Sequence, residues 1–177
     1  MTIHRRRKYT PPEVDAILRA SETRVSRHGP NPQGHPGHTG RLHVLITNED
    51  LIARGDEFYR DPDVEIPIAG AFASSLEGVR AVTEALNSPT GQAALQHLDD
   101  NYPTGIRVRI EAGVAPIIAR YSSGLGIKRT AVVTSVLVLA ERIEEEAYLG
   151  LHIHTAFPIL AFRRGGPAWL DHRSQWH

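Results

Sequence analysis

The chain has 177 residues, and Lys+Arg and Asp+Glu are balanced at 20 each, so any nucleic-acid contact must come from a local basic patch and not from bulk charge. Cysteine is absent, which excludes disulfides and thiolate chemistry, and no apolar run is long enough to span a bilayer. The length suits one domain with a sizeable core, and ten histidines are its main chemical resource.

Taken in chain order, Arg5, Arg6, Arg7 and Lys8 give a basic tail with no apolar segment after it, so it is not a standard secretory signal. From Thr10 the pattern predicts a helix through about His28: Thr10 caps it, Pro11 sits at the first helical position and Glu13 completes a capping box. "GPNPQGHPGHTG" reads as a loop that delivers His35 and His38 close to His43. "RLHVLI" reads as a short strand or extended segment. Thr47 then caps a helix over "NEDLIARGDEF" with Asp50 at N3. "DPDVEIPIAGAF" is extended and broken by Pro. Ser74 with Glu77, and Ser88 with Pro89, open two more helices.

After "DDNYPTG" the period changes from helical to alternating. "IRVRIEA" and "APIIARYSSG" read as two strands, "AVVTSVLVLAERI" as a central strand and "YLGLHIHTAFPILAF" as the last one. The tail from Arg163 reads as a loop or frayed end. Helices first and tightly connected strands afterwards predict an α+β fold with a twisted antiparallel sheet.

Strict alternation along the last strand puts Leu151, Ile153, Thr155 and Phe157 on one face and His152, His154 and Ala156 on the other. His152 and His154 are then a half-site for a metal that His35, His38 or a Glu could complete, or simply half-exposed strand histidines. The loop histidines read equally as solvated side chains. No Ser-His-Asp signature, nucleophile elbow or phosphate-cradling Gly loop is present. The segment "HVLITNEDLIAR" offers a different chemistry, with an imidazole at His43 before a helix and a guanidinium at Arg54 near its end. Together these could hold and work on a phosphodiester.

"GHTGRLHVLITNEDLIAR", followed by "AFASSLEGVRAVTEAL" and by "HTAFP", resembles the bacterial RNase A-like domain of contact-dependent growth inhibition toxins and related polymorphic toxins. The matching positions are His38-Thr39, His43-Val44, Arg54, Phe72 with the helix after it, and Thr155-Ala156-Phe157-Pro158. The resemblance spans residues 37–162, leaving 1–36 as an N-terminal tail, helix and loop and 163–177 as a C-terminal tail.

The resemblance implies a metal-independent ribonuclease with no cofactor. His43, Arg54 and Thr155 would be catalytic, Thr39 and Phe157 would contact substrate, and a disulfide-free RNase A-like fold would carry them. RNA, tRNA among the candidates, would be the substrate; an immunity or antitoxin protein would be the partner, with no membrane partner. Action would be in the cytoplasm, after secretion or delivery to a target cell. Phe157 stands where the family usually has Tyr, and Leu45-Ile46 where it often has Gly-Lys. RNA cleavage also needs a second acid–base group. His38 is the first candidate, because alternation places His152 and His154 opposite Thr155, an argument that a β-bulge would overturn. A weakened RNase-like fold that only binds RNA or protein, and a His-rich metal-binding enzyme, are the competing readings.

Overall fold

The computed structural model describes residues 8–23, 44–63, 68–102, 106–143, 149–160, 163–164 and 168–169. The helices are α1 (Pro11–Thr23), α2 (Asn48–Arg60), α3 (Ser75–Asn87) and α4 (Pro89–Asp100). The strands are β1 (Ala69–Phe72), β2 (Arg107–Ser122), β3 (Lys128–Arg142), β4 (Leu151–Pro158) and a two-residue pair, β5 (Arg163–Arg164) and β6 (Ala168–Trp169). Helix starts follow the side-chain oxygens that take their otherwise orphaned amides. Thr47 accepts from the Asp50 amide at 3.0 Å, Ser74 from the Glu77 amide at 3.2 Å and Ser88 from the Gly91 amide at 3.0 Å. At α1, Glu13 reaches back to accept from the Thr10 amide at 2.8 Å.

The main sheet is antiparallel in the order β1-β2-β3-β4, which makes the fold α+β as expected. The sequence suggested two strands over 106–124; the structure has one, with an irregularity between Gly113 and Ile117. Pro116 has no amide to give a ladder, and the local backbone groups find partners on α3 instead. Glu84 accepts from the Ala115 amide at 2.6 Å, Arg80 donates to the Pro116 carbonyl at 2.6 Å, and Glu77 accepts from the Ile118 amide at 3.3 Å. Spaced along one flank of α3, these three side chains let the strand bend without breaking. The tail also differs from expectation, since Arg163 and Arg164 pair with Ala168 and Trp169.

One face of the sheet, the core face, is covered by α1, α3 and α4. Val14, Ile17, Val82, Leu86, Leu95 and Leu98 pack there against Ile110, Ile117, Val136, Val138, Leu151 and Ile153. Near its rim Arg142 and Asp99 are buried together: the guanidinium donates twice to Asp99, once to the Tyr9 hydroxyl at 3.0 Å and once to the Gly150 carbonyl at 3.4 Å. Burial alone would lower the Arg142 pKa; the hydrogen bonds to Asp99 and Tyr9 reverse this, and the net shift is upward.

The opposite, second face receives α2 at the β1 end, where Ile46, Leu51 and Phe58 pack on Ala69 and Ala71. Gly55 permits that approach, since a Cβ there would lie 2.9 Å from the Ser122 carbonyl oxygen and against its hydroxyl. Asp56 accepts from the Gly126 amide at 3.0 Å, tying α2 to the β2–β3 turn.

Candidate functional site

Strand β4 does not alternate regularly. Leu139 of β3 pairs with Thr155 and Ala140 pairs with Ile153, so His154 is an extra residue, a β-bulge. The Ile153 amide bonds to the Ser21 hydroxyl of α1 at 3.0 Å, in a buried contact. The bulge corrects the expected facing. Leu151, Ile153 and Ala156 lie in the core, whereas Thr155 and Phe157 join His152 on the second face. Three cross-strand rows result there: Arg107–Glu141–His152, Arg109–Leu139–Thr155 and Glu111–Leu137–Phe157. Paired strand residues share a face, which is why one inserted residue regroups the set.

The bulged His154 turns its ring to the same side. Its Nε2 lies 3.3 Å from Glu141 Oε2, an ion pair when the ring is protonated. The rings of His152 and His154 meet edge to face with centroids 4.5 Å apart. Arg107 Nε approaches the same Glu141 oxygen at 3.7 Å. Glu141 is 0% exposed, His152 0%, His154 6% and Thr155 8%. The Thr155 hydroxyl is buried and makes no hydrogen bond among the described residues, which is costly unless a ligand completes it. Phe157 packs with Leu137 and Ile159 and is 3% exposed, so its ring leaves no open plane for a base.

Arg54 sits on α2, on the flank of the stripe formed by Leu51 and Gly55, half-buried with its guanidinium 5.3 Å above the Phe58 ring. Burial lowers its pKa and the nearby Glu57 charge opposes this, but a guanidinium stays protonated at any physiological pH. No hydrogen bond or ion pair joins it to Thr155 among the described residues: α2 packs at the β1 edge of the second face, whereas Thr155 lies on β4 at the opposite edge of the sheet. His38, Thr39 and His43 lie outside the described residues, as does His35. Next to His43, Val44–Ile46 is not a strand. Arg120 instead binds the carbonyls of Val44 and Ile46 at 3.0 Å each, the Asn48 side chain at 3.1 Å and the Phe72 carbonyl at 3.4 Å. A guanidinium fork therefore anchors the chain just after His43 to β1 and β2.

Sequence reasoning missed Glu141, Arg107 and Arg120. The alternating Arg107 and Arg109 were a visible sign of a basic row. Glu141 gains meaning only from the pairing that sets it opposite His152.

Glu141, His152 and His154 are also a donor set for a metal ion, with one ligand atom from each all within 4.8 Å of one another. Against that use, Oε2 of Glu141 already has a permanent cation, Arg107, 3.7 Å away. A dication there would be repelled by Arg107 with only one carboxylate to offset it.

No family model matches the chain, and no curated protein matches it significantly. Among solved structures, a chain of the crystal structure of a CdiA-CT/CdiI complex from Y. kristensenii 33638 is similar. It is 21% identical with a TM-score of 0.45, and the match covers 70% of this chain and 100% of that one. At that identity and score the likeness carries no statement about the chemistry of this chain.

Proposed function

We propose that this protein is a metal-independent endoribonuclease of the toxin type, acting on RNA, with tRNA among its candidate substrates. The observation that carries the reading is the β4 bulge. It gathers two histidines, a threonine with an uncommitted hydroxyl and a carboxylate on one sheet face, in a chain that also offers Arg54 on the helix packed on that face.

The chemistry divides as follows. A base takes the 2′-hydroxyl proton, the 2′-oxygen attacks phosphorus, and the 5′-oxygen leaves with a proton from an acid. His43 is assigned the acid–base work on the 2′-hydroxyl side. Arg54 is assigned the phosphate charge, for which its planar fork suits two oxygens at once. Thr155 donates to a non-bridging oxygen, and Phe157 supplies the apolar packing beside Thr155. Thr39 is assigned to substrate contact, and His38, the first candidate from sequence for the second acid–base group, lies outside the described residues. An immunity protein is the partner such a toxin would need.

The test is incubation of the purified chain with total RNA and with tRNA in EDTA, beside His43→Ala and Thr155→Val. Cleavage that persists in EDTA and drops in both variants supports the reading. No cleavage of either RNA sinks it. Loss of cleavage in EDTA, regained with added Zn²⁺, transfers the site to the second reading, a His-rich metal enzyme. The close approach of the Glu141, His152 and His154 donor atoms favours that alternative.

A further inference from the structure

We infer that His154 is the acid that protonates the leaving 5′-oxygen and that Glu141 is its positioning residue. The inference rests on the ribonuclease reading above and supplies the second proton-transfer group that this reading lacks.

The histidines among the described residues are His97, His152 and His154. His97 is on α4, 3.4 Å from the Asn101 side chain, and belongs to the helical layer. His152 and His154 are the pair on the second face with Thr155. Of these, His152 is 0% exposed and stands in a regular ladder position opposite Glu141, with the His154 ring against it. His154 is 6% exposed, occupies the bulge next to Thr155 and has Glu141 at 3.3 Å. A bulge re-aims one side chain at the cost of a ladder position, and such distortions cluster beside active sites.

Orientation identifies the reacting atom. Nε2 of His154 faces Glu141 Oε2, so Nδ1 is the nitrogen left to face a substrate. A carboxylate on one imidazole nitrogen fixes the ring and balances the charge of the protonated form, while the other nitrogen does the proton transfer. Arg107 Nε also approaches that carboxylate oxygen, at 3.7 Å. In the step itself, the proton on His154 Nδ1 passes to O5′ as the P–O5′ bond breaks and the P–O2′ bond forms. The ring ends neutral, and the cyclic phosphate and a free 5′-hydroxyl are the products. Thr155, on the adjoining row, holds the phosphate within reach of that nitrogen.

The deciding experiment compares two substrates that differ only in how badly the leaving group needs a proton. One is an RNA dinucleotide; the other is uridine 3′-(p-nitrophenyl phosphate), whose phenolate departs unprotonated. Wild type, His154→Gln and Glu141→Gln are assayed on both in EDTA, with circular dichroism to check folding.

On the dinucleotide, His154→Gln should lose on the order of 10²- to 10⁴-fold in kcat, with little loss on the nitrophenyl ester. Glu141→Gln should show a smaller loss with the same substrate dependence, which a merely structural role would not produce. Equal losses on both substrates, or none, overturn the inference while leaving the ribonuclease reading intact. If His154→Gln does not fold, the substrate dependence of Glu141→Gln decides. A wild type that cleaves neither substrate brings down the ribonuclease reading and the inference with it. Inhibition by EDTA that Zn²⁺ reverses makes the cluster a metal site and refutes the acid role.

Discussion

On the core face, Arg142 and Asp99 are buried side by side, and the guanidinium spreads its donors over Asp99, Tyr9 and Gly150. On the second face, the Thr155 hydroxyl is buried with no hydrogen bond among the described residues, and His154 relies on a 3.3 Å ion pair that exists only when its ring is protonated. At these two places the same sheet completes one buried polar cluster and leaves one hydroxyl, that of Thr155, without a hydrogen bond among the described residues. Complete networks hold a fold together; incomplete ones cost stability and persist where a ligand or a reaction completes them.

That contrast can be broken by substitutions whose expected costs differ widely. The largest is Arg142→Met, which strands the Asp99 carboxylate in the interior and should cost about 3–5 kcal/mol in urea unfolding. Adding Asp99→Leu should recover much of it, because an apolar pair of similar volume removes the uncompensated charge. A double variant no more stable than the single would show that Asp99 is not the reason for the loss. Next comes Ser21→Ala, which leaves the Ile153 amide without its acceptor at the bulge. About 1–3 kcal/mol is expected, together with a fall in RNA cleavage. Unchanged cleavage would mean that the bulge holds its shape without Ser21.

Ser74→Ala, at the cap of α3, should cost about 1 kcal/mol in thermal unfolding, with no specific effect on cleavage, since its exposed hydroxyl caps a helix on the side of the sheet opposite Thr155. The smallest stability effect is expected for Thr155→Val. Removing a buried hydroxyl that has no partner should leave the melting temperature unchanged or slightly raised, while cleavage falls. A clear drop in stability would place Thr155 among the structural groups and erase the distinction between the faces.

Much of the fold was legible because its signals are local. Thr47, Ser74 and Ser88 mark helix starts through bonds that span three residues, and the alternation in "IRVRIEA" reports a single half-buried surface. What was not legible depends on pairing across the chain. The one-residue excess at His154 exists only relative to Leu139 and Ala140 of the neighbouring strand. Beside Pro116 the strand bonds to Glu77, Arg80 and Glu84 of α3, some thirty to forty residues earlier in the chain. Of the candidate site, the sequence pointed to Thr155 and Arg54 but not to Glu141, whose meeting with His152 and His154 depends on the β3–β4 register, nor to the reversal that brings His154 to the face of Thr155.

The bulge also has a genetic consequence. In a regular strand, deleting one codon turns every later side chain to the wrong face, so such deletions are ordinarily lethal to the fold. In β4 one codon is different. Excising His154 would leave His152 opposite Glu141, Ile153 opposite Ala140 and Thr155 opposite Leu139 on a now unbroken ladder. Among the positions of this strand, it is the one where a lineage could lose a residue and keep its architecture, giving up in a single event the acid proposed above while retaining the ladder.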